Sequence, residues 1–186
     1  MDSLSIQYLD SSIAYTGKEL KPHWIYENTG LLGNSLTAFQ GPCEVSLAHM
    51  VDLEDVKRKA PIYSLDMVHF LGEFFIDSLD HGILLQHLLV ATAYGWLWEQ
   101  GIRDLSRKGN DIYYRSRKLS VSIATKSPVS VLIHFGINVK TEGTPIPTSG
   151  LNELKIEPKA FAQGCLETFL RDYNIWRLAR FKVSPR

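Results

Sequence analysis

Three observations in this 186-residue chain predict an α+β fold, with a mostly antiparallel sheet flanked by helices. Residues 104–140 alternate between apolar and small or polar side chains, which is typical of paired strands. Residues 80–100 and 157–179 instead repeat apolar side chains at helical spacing. The composition, with 45% hydrophobic and 22% charged residues, is that of an ordinary globular chain. The length predicts a single domain over residues 1–186.

The first third of the chain predicts short elements that glycine and proline interrupt. A short helix is expected at residues 18–26, and it ends at Asn28-Thr29-Gly30. Strands are expected at residues 4–9, 12–15, 35–39 and 44–47. We expect the first two to pair with each other, and the last two to be separated by the break at Gly41-Pro42.

The middle of the chain predicts a capped helix, a strand and a long helix. Residues 52–59 begin with Asp and end with Lys-Arg-Lys, which fits the dipole of a helix. The alternation of residues 66–75 favours a strand. Residues 80–100 carry a wide apolar surface and end before Gly101, which predicts the longest helix of this part.

The strands within residues 104–140 predict a sheet with one apolar face and one open face. We expect Val121, Ile123, Val131, Ile133 and Phe135 to face helices, the helix at residues 80–100 among them. The other face is expected to border a concavity. It carries Lys118, Ser120, Ser122, His134, Gly136 and Asn138. Small residues leave room above a sheet, so this face suits a bound ligand.

The last part of the chain predicts a loop at residues 142–156 and a final helix at residues 157–179. Glycine and proline recur in the loop, and Pro158 suits the first turn of the helix. Phe161, Cys165 and Phe169 are expected to pack on the core.

Charge and cysteine usage restrict the partners and the compartment. The chain has 20 basic and 20 acidic residues, so its net charge gives no bulk attraction to nucleic acid or an anionic membrane. Residues 1–10 lack the pattern of a signal peptide, and no run approaches a membrane span. We therefore expect a cytoplasmic protein in which Cys43 and Cys165 are reduced.

Two sets of motifs carry resemblances to known families. The segment N-D-I-Y-Y-R-S-R-K-L-S-V-S-I, followed by I-H-F-G-I-N-V, resembles the core of biotin and lipoate protein ligases. The whole chain resembles the domain-of-unknown-function 366 family, through three further segments. These are G-L-L-G-N-S-L-T-A-F-Q-G-P-C-E-V, M-V-D-L-E-D-V-K-R-K-A-P-I and D-M-V-H-F-L-G-E-F-F. The resemblance implies the fold of the ligase catalytic core, which is related to class II aminoacyl-tRNA synthetases.

The ligase resemblance implies a catalytic role for Lys118. In lipoate ligases an Arg-Lys pair at the start of this strand supplies the cation that balances developing negative charge, and Arg117-Lys118 matches it. The resemblance also places Asn110-Asp111 near a nucleotide or beside the lysine. Asn138 is expected to bind a ligand, with Gly136 allowing close backbone approach. A solvated lysine and an ordinary turn pair remain the alternatives.

Lys108 is the rival of Lys118. In biotin ligases a lysine precedes the Asn-Asp pair by three positions, in Lys-Trp-Pro-Asn-Asp, whereas here that position holds Arg107. The missing Trp and Pro favour an exposed turn position for Lys108.

Other expected features of the ligases are absent or altered. Residues 30–35 form a glycine turn without arginine, so phosphate contacts would have to come from Arg107, Arg115 or Arg117, or no acyl-adenylate is made. Cys43 is either an accessible thiol for acyl transfer or a buried small side chain. The histidines show no metal-ligand spacing, so no metal is expected.

Two functions remain open at this point. The first is a ligase or acyltransferase that binds a small carboxylic acid on the sheet face, with ATP as the cofactor of an adenylate-forming reaction. The second is a non-catalytic relative that binds or assembles with partners, and a homodimer is compatible with both.

Overall fold

The computed structural model describes residues 3–59 and 62–185. The strands are β1 Ser5–Leu9, β2 Ser35–Val45, β3 Ile62–Phe74, β4 Leu105–Lys108, β5 Asp111–Tyr114, β6 Arg117–Lys118, β7 Ser120–Lys126 and β8 Val131–Asn138. The helices are α1 Trp24–Thr29, α2 Leu53–Arg58, α3 Leu79–Glu99, α4 Leu151–Leu154 and α5 Pro158–Ala179, with one 3-10 turn at Leu47–His49. This mixture confirms the predicted α+β class. Within the described residues, no helix is both long and apolar enough to cross a membrane.

The main sheet has five strands in the order β1-β2-β3-β8-β7, and the smaller sheet consists of β4, β5 and β6. Strand β1 pairs with β2 in parallel, whereas the other pairs in the main sheet are antiparallel. The predicted pairing of residues 12–15 with residues 4–9 is therefore wrong. Residues 12–15 instead run beside the end of β2, where Ile13 N donates to Gln40 O and Tyr15 N donates to Pro42 O.

Strand β2 is continuous through a segment where two separate strands were predicted. Its register with β3 shifts between Gly41 and Cys43, so a bulge contains Pro42. Proline has no N–H to contribute to a ladder, and a bulge leaves that position unpaired. The Gly41-Pro42 pair therefore bends the strand and does not end it.

The helices α3 and α5 cover one face of the main sheet. Aromatic side chains fill the space between these layers, namely Phe70, Phe74, Phe135, Phe161 and Phe169. The two helices approach each other closely at Gly164, where an added Cβ would overlap the indole of Trp96. The predicted helices at residues 80–100 and 157–179 are thus confirmed, and they form a single layer.

Two local predictions need different boundaries. The helix expected at residues 18–26 begins only at Trp24, and the loop expected at residues 142–156 contains the short helix α4. The helix at residues 52–59 is confirmed as α2. Asp52 caps it by accepting hydrogen bonds from Glu54 N at 2.8 Å and Asp55 N at 3.3 Å.

The faces predicted for β7 are wrong. Ser122 lies directly opposite Phe135, and Ile123 lies opposite His134. Residues directly opposite in an antiparallel pair share a face, so Ser120 and Ser122 face α3 while Val121 and Ile123 face away from the helices. Polar partners explain why serine is tolerated on the helix side. Gln86 of α3 donates to Ser122 Oγ at 2.8 Å, and Ile112 N donates to Ser120 Oγ at 2.9 Å.

Candidate functional site

A cavity of about 390 Å³ lies on the face of the main sheet that α3 and α5 leave uncovered. Strands β3, β7 and β8 form its floor. Helix α2, the start of β5 and residues 144–148 form its walls. The predicted concavity above the sheet therefore exists.

The floor of the cavity is largely apolar. Met67 of β3 and Val121 and Ile123 of β7 contribute to it. Gly136 of β8 keeps this floor low, because a Cβ at that position would lie 2.8 Å from Met67 Cε. An extended apolar group therefore fits along the strands.

A charged end closes the cavity beside the β5–β6 hairpin. Lys118 Nζ lies 3.0 Å from Asp111 Oδ2, and the two side chains are 27% and 21% exposed. Asp55 of α2 faces this pair. Burial raises the pKa of the Asp55 carboxyl and the charge of Asp52 adds to that shift, whereas Lys118 opposes it. Lys118 is thus the cation at this end, paired with Asp111 and within electrostatic reach of Asp55.

Asn110 joins the β4–β5 turn to β7. Its Nδ2 donates to Ser122 O at 3.1 Å, and Ser122 Oγ donates to Asn110 O at 3.1 Å. These bonds hold Asp111 beside the start of β7, where it meets Lys118. Asn138 reaches the cavity from the end of β8.

Two buried histidines lie under the apolar part. His69 Nδ1 and His134 Nε2 are 3.1 Å apart, and His69 Nε2 is 3.2 Å from Gly41 O. Tyr15 stacks on His134 with 3.8 Å between ring centroids. Burial lowers the pKa of His69 to about 4, and burial together with the charge of His69 lowers the pKa of His134 further from its usual value. Both rings are therefore neutral near pH 7.

The structure brings most of the predicted ligand residues to one cavity. Lys118, Asp111, Asn110, His134 and Asn138 all line it, and Gly136 lies beside the lining residues of the floor. Ser122 contributes to the lining, but its hydroxyl bonds to Asn110 and Gln86. Ser120 is fully buried and lies outside it. The prediction of a shared face holds for β8 and fails for the serines of β7.

Lys108 and the hairpin arginines lie away from the cavity lining. Lys108 Nζ sits 5.5 Å from the centre of the Tyr113 ring. Arg115 pairs with Asp104 and Arg117 with Glu153, whereas Arg107 donates to His87 O at 3.4 Å. Of the two alternatives that the sequence left open, phosphate contacts from these three arginines are therefore not assembled around the cavity.

Neither cysteine is placed for nucleophilic chemistry. Cys43 and Cys165 are free thiols with no exposed surface. Burial raises the pKa of Cys43 to about 12, and the charge of Glu19 adds to this. The thiolate that acyl transfer needs is disfavoured at Cys43.

The histidines and carboxylates that the structure describes do not assemble a metal site. In the part of the chain that the structure describes, no three His, Cys, Asp or Glu side chains come close enough to hold an ion. Glu73 illustrates this, because its carboxylate accepts from His23 N at 3.0 Å and from Ser130 Oγ at 2.7 Å. It serves to join β3 to the neighbouring loops.

Sequence reasoning missed the contributions of α2 and Tyr15. Asp55, Arg58 and Tyr15 line the cavity, yet they lie 50 or more residues away from Lys118 in the chain. The cap at Asp52 predicted helix α2, but it did not predict which strands this helix lies beside. The alternation around His69 and around His134 predicted two strands. That the two histidines contact each other follows only from the pairing of β3 with β8.

The chain matches a family model over most of its length. The model described as a domain of unknown function, number 366, covers residues 4–184. A solved protein of unknown function from Pyrococcus horikoshi is 40% identical, with a TM-score of 0.94 over 99% of this chain and 100% of that one.

More distant solved structures share the fold. A bi-partite lipoate protein ligase from Thermoplasma acidophilum gives a TM-score of 0.62 at 11% identity, over 94% of this chain and 85% of that chain. A biotin protein ligase from Aquifex aeolicus, in complex with biotin and ATP, gives a TM-score of 0.60 at 15% identity, over 94% and 71%. At these identities the likeness concerns the fold, which is that of the biotin and lipoate ligases.

Proposed function

The chain belongs to the domain of unknown function 366 family. From the geometry of the cavity, we propose that it binds a small carboxylic acid on the sheet face. The observation that carries this proposal is the single lysine at one end of an apolar floor, where Lys118 is held by Asp111 at 3.0 Å. The apolar body of the acid would lie over Val121 and Ile123, and its carboxylate would meet Lys118.

The physical chemistry of the charged end supports this orientation. A charge-assisted hydrogen bond contributes about 1.5–3 kcal/mol, which is more than a neutral one. Asp111 holds the ammonium in position before any ligand arrives, and this reduces the entropy cost of binding. The volume of about 390 Å³ falls within the usual range for small-ligand pockets.

Adenylate formation is the second candidate, and the fold shared with a biotin ligase bound to biotin and ATP favours it. In that reaction a carboxylate oxygen attacks the α-phosphorus of ATP, the bond to pyrophosphate breaks, and an acyl-adenylate forms. The charge around the cavity opposes it more strongly than it opposes a single carboxylate, because a triphosphate brings several negative charges to a lining with more acids than bases. Among the described lining residues the acids are Asp52, Glu54, Asp55 and Asp111, and the bases are Arg58 and Lys118. Arg58 already pairs with Glu54 at 2.9 Å.

Calorimetric titration with octanoate, lipoate and biotin tests the binding function. We expect at least one acid to show saturable binding. Any other acid that binds should compete with it. If none of the three binds at millimolar concentration, the proposed function is wrong.

Pyrophosphate release tests the second candidate in the same samples. Release that depends on both ATP and the bound acid would establish adenylate formation. Binding of the acid without any release would refute adenylate formation and retain acid binding.

A further inference from the structure

A chain of hydrogen bonds under the cavity controls which nitrogen of His134 carries a proton. It begins at Gly41 O, which can only accept, and His69 Nε2 lies 3.2 Å from it. His69 Nε2 must therefore carry the hydrogen of this bond. In a neutral imidazole only one nitrogen is protonated, so His69 Nδ1 is left with a lone pair.

The proton position in His69 determines the proton position in His134. His134 Nε2 lies 3.1 Å from His69 Nδ1, and because that nitrogen accepts, His134 Nε2 must donate. The proton of His134 is thereby assigned to Nε2, and its Nδ1 bears the lone pair. Buried surroundings keep both rings neutral near pH 7.

The remaining nitrogen has no partner within the described residues. His134 is only 4% exposed. Its Nδ1 makes no hydrogen bond, yet this atom is not fully enclosed by the protein. Because His134 lines the cavity, the atom that retains access is an acceptor directed at cavity contents. Tyr15 stacks flat on the ring, at 8° between the ring planes, and prevents it from turning.

His134 and Lys118 lie at different levels along the floor. Asn110 is bonded to Ser122 and Ile112 to Ser120, so Asp111, which Lys118 meets, is level with Val121. His134 lies opposite Ile123, two residues further along β7. At about 3.3 Å per residue, the two levels are about 7 Å apart along the strand. A ligand that reaches both is an acid whose donor lies several bonds away from its carboxylate.

We propose that His134 is a specificity-determining residue whose bare Nδ1 accepts a hydrogen bond from an O–H or N–H group at the far end of the bound acid. This inference rests on the proposed function, because it takes the carboxylate at Lys118 as the other anchor. It narrows the ligand class from small carboxylic acids in general to those with a hydrogen-bond donor at the end opposite the carboxylate. A ligand without a donor leaves a buried acceptor unpaired.

The tautomer is testable in the unmodified protein. The ¹⁵N chemical shifts of the imidazole nitrogens distinguish protonated from bare positions. We expect His69 and His134 each to be protonated at Nε2 and bare at Nδ1 at neutral pH. A protonated Nδ1 on His134 would overturn the inference and leave the proposed function standing.

A matched pair of acids tests the donor requirement. We expect ω-hydroxyoctanoate to bind more tightly than octanoate by about 2- to 10-fold, which corresponds to about 0.4–1.4 kcal/mol at 1.4 kcal/mol per tenfold change. In His134→Phe, which keeps an aromatic ring beneath Tyr15, the two acids should bind equally.

The outcomes separate the two proposals. If octanoate binds and the hydroxyl gives no gain in the wild-type protein, the role of His134 is refuted and acid binding is retained. If neither acid binds, both are refuted. The comparison of the two acids needs no variant, so it is decisive even if His134→Phe does not fold.

Discussion

At the scale of single residues, the site combines an ion pair with two neutral histidines. Lys118 Nζ lies 3.0 Å from Asp111 Oδ2 at the edge of the cavity. His69 and His134 are neutral because burial disfavours their charged forms. The first arrangement presents an ammonium group to the cavity, and the second presents an uncharged acceptor.

Lys118→Ala should weaken binding of the carboxylic acid by about 10- to 150-fold, the equivalent of a lost charge-assisted contact of about 1.5–3 kcal/mol. Stability should change little, since partly exposed ion pairs contribute about 0–1 kcal/mol. Isothermal titration of both proteins with the same acid measures the effect.

Lys108→Ala is the matched control, because Lys108 contacts the Tyr113 ring outside the cavity. Its affinity for the acid should equal that of the wild-type protein. Equal small effects of both variants would refute the role of Lys118, and a loss confined to Lys108→Ala would point to a biotin-ligase arrangement.

The buried histidines predict a loss of stability in mild acid. The pKa of His69 is about 4 in the folded protein and about 6.5 in the unfolded chain, so between these values the unfolded chain binds more protons. Keeping His69 neutral should therefore cost no stability above about pH 6.5. Below that pH the free energy of unfolding should fall as the pH drops. His69 alone should account for about 2 kcal/mol between pH 7 and pH 5.

Urea unfolding at pH 7, 6 and 5 measures this dependence, in a range where most carboxylates remain ionised. His87 does not line the cavity. His87→Gln should therefore lose as much free energy of unfolding between pH 7 and pH 5 as the wild-type protein. A free energy of unfolding that is constant over this range would contradict the burial of neutral rings.

At the scale of elements, a six-residue helix forms a wall of the cavity. Such a short helix is marginal on its own, so α2 depends on its cap and its contacts. Asp52 provides the cap and Lys59 ends the helix in a left-handed conformation. The orientation of Asp55 towards Lys118 follows from this local order.

Asp52→Ala should loosen α2 by removing the cap, at a cost of about 0.5–2 kcal/mol. Backbone hydrogen exchange of residues 53–58 should accelerate by about 2- to 30-fold as a result, at 1.4 kcal/mol per tenfold change. Asp52→Asn is the control, since asparagine caps a helix about as well as aspartate. Unchanged exchange in Asp52→Ala would show that packing alone holds the helix.

At the scale of the whole molecule, the uncovered sheet face exists because α3 and α5 both pack on the opposite face. Their close approach requires small residues, and Gly164 faces the Trp96 indole without room for a Cβ. Gly82 of α3 is likewise pressed against Val131 of β8. The cavity on the other face thus rests on a rigid sheet that is supported from behind.

Gly164→Ala should lower the free energy of unfolding by about 1–3 kcal/mol, because overpacking forces the two helices apart. Gly95→Ala in α3 is the matched control, since no atom lies within 4 Å of its added Cβ. It should be neutral or stabilising by up to about 1 kcal/mol, as alanine favours the helix. Equal responses of the two variants would contradict the described packing of α3 on α5.

Local patterns were sufficient for the elements that local physics controls. The helices α2, α3 and α5 were predictable because their caps and apolar spacing lie within the segment itself. The alternation of β8 assigned its two faces correctly, since one face is continuously apolar. The resemblance to the ligases selected Lys118, Asn110 and Asp111, which the structure brings to one cavity.

Only the tertiary structure decided the features that depend on distant partners. The serines of β7 alternate like an open face, and Gln86 of α3 and Ile112 of β5 turn that face inward. The position of α2 over the sheet, and the contact between His69 and His134, likewise join residues far apart in the chain. Side-chain alternation shows that a strand has two faces. Which face is buried depends on the groups that other elements place against it.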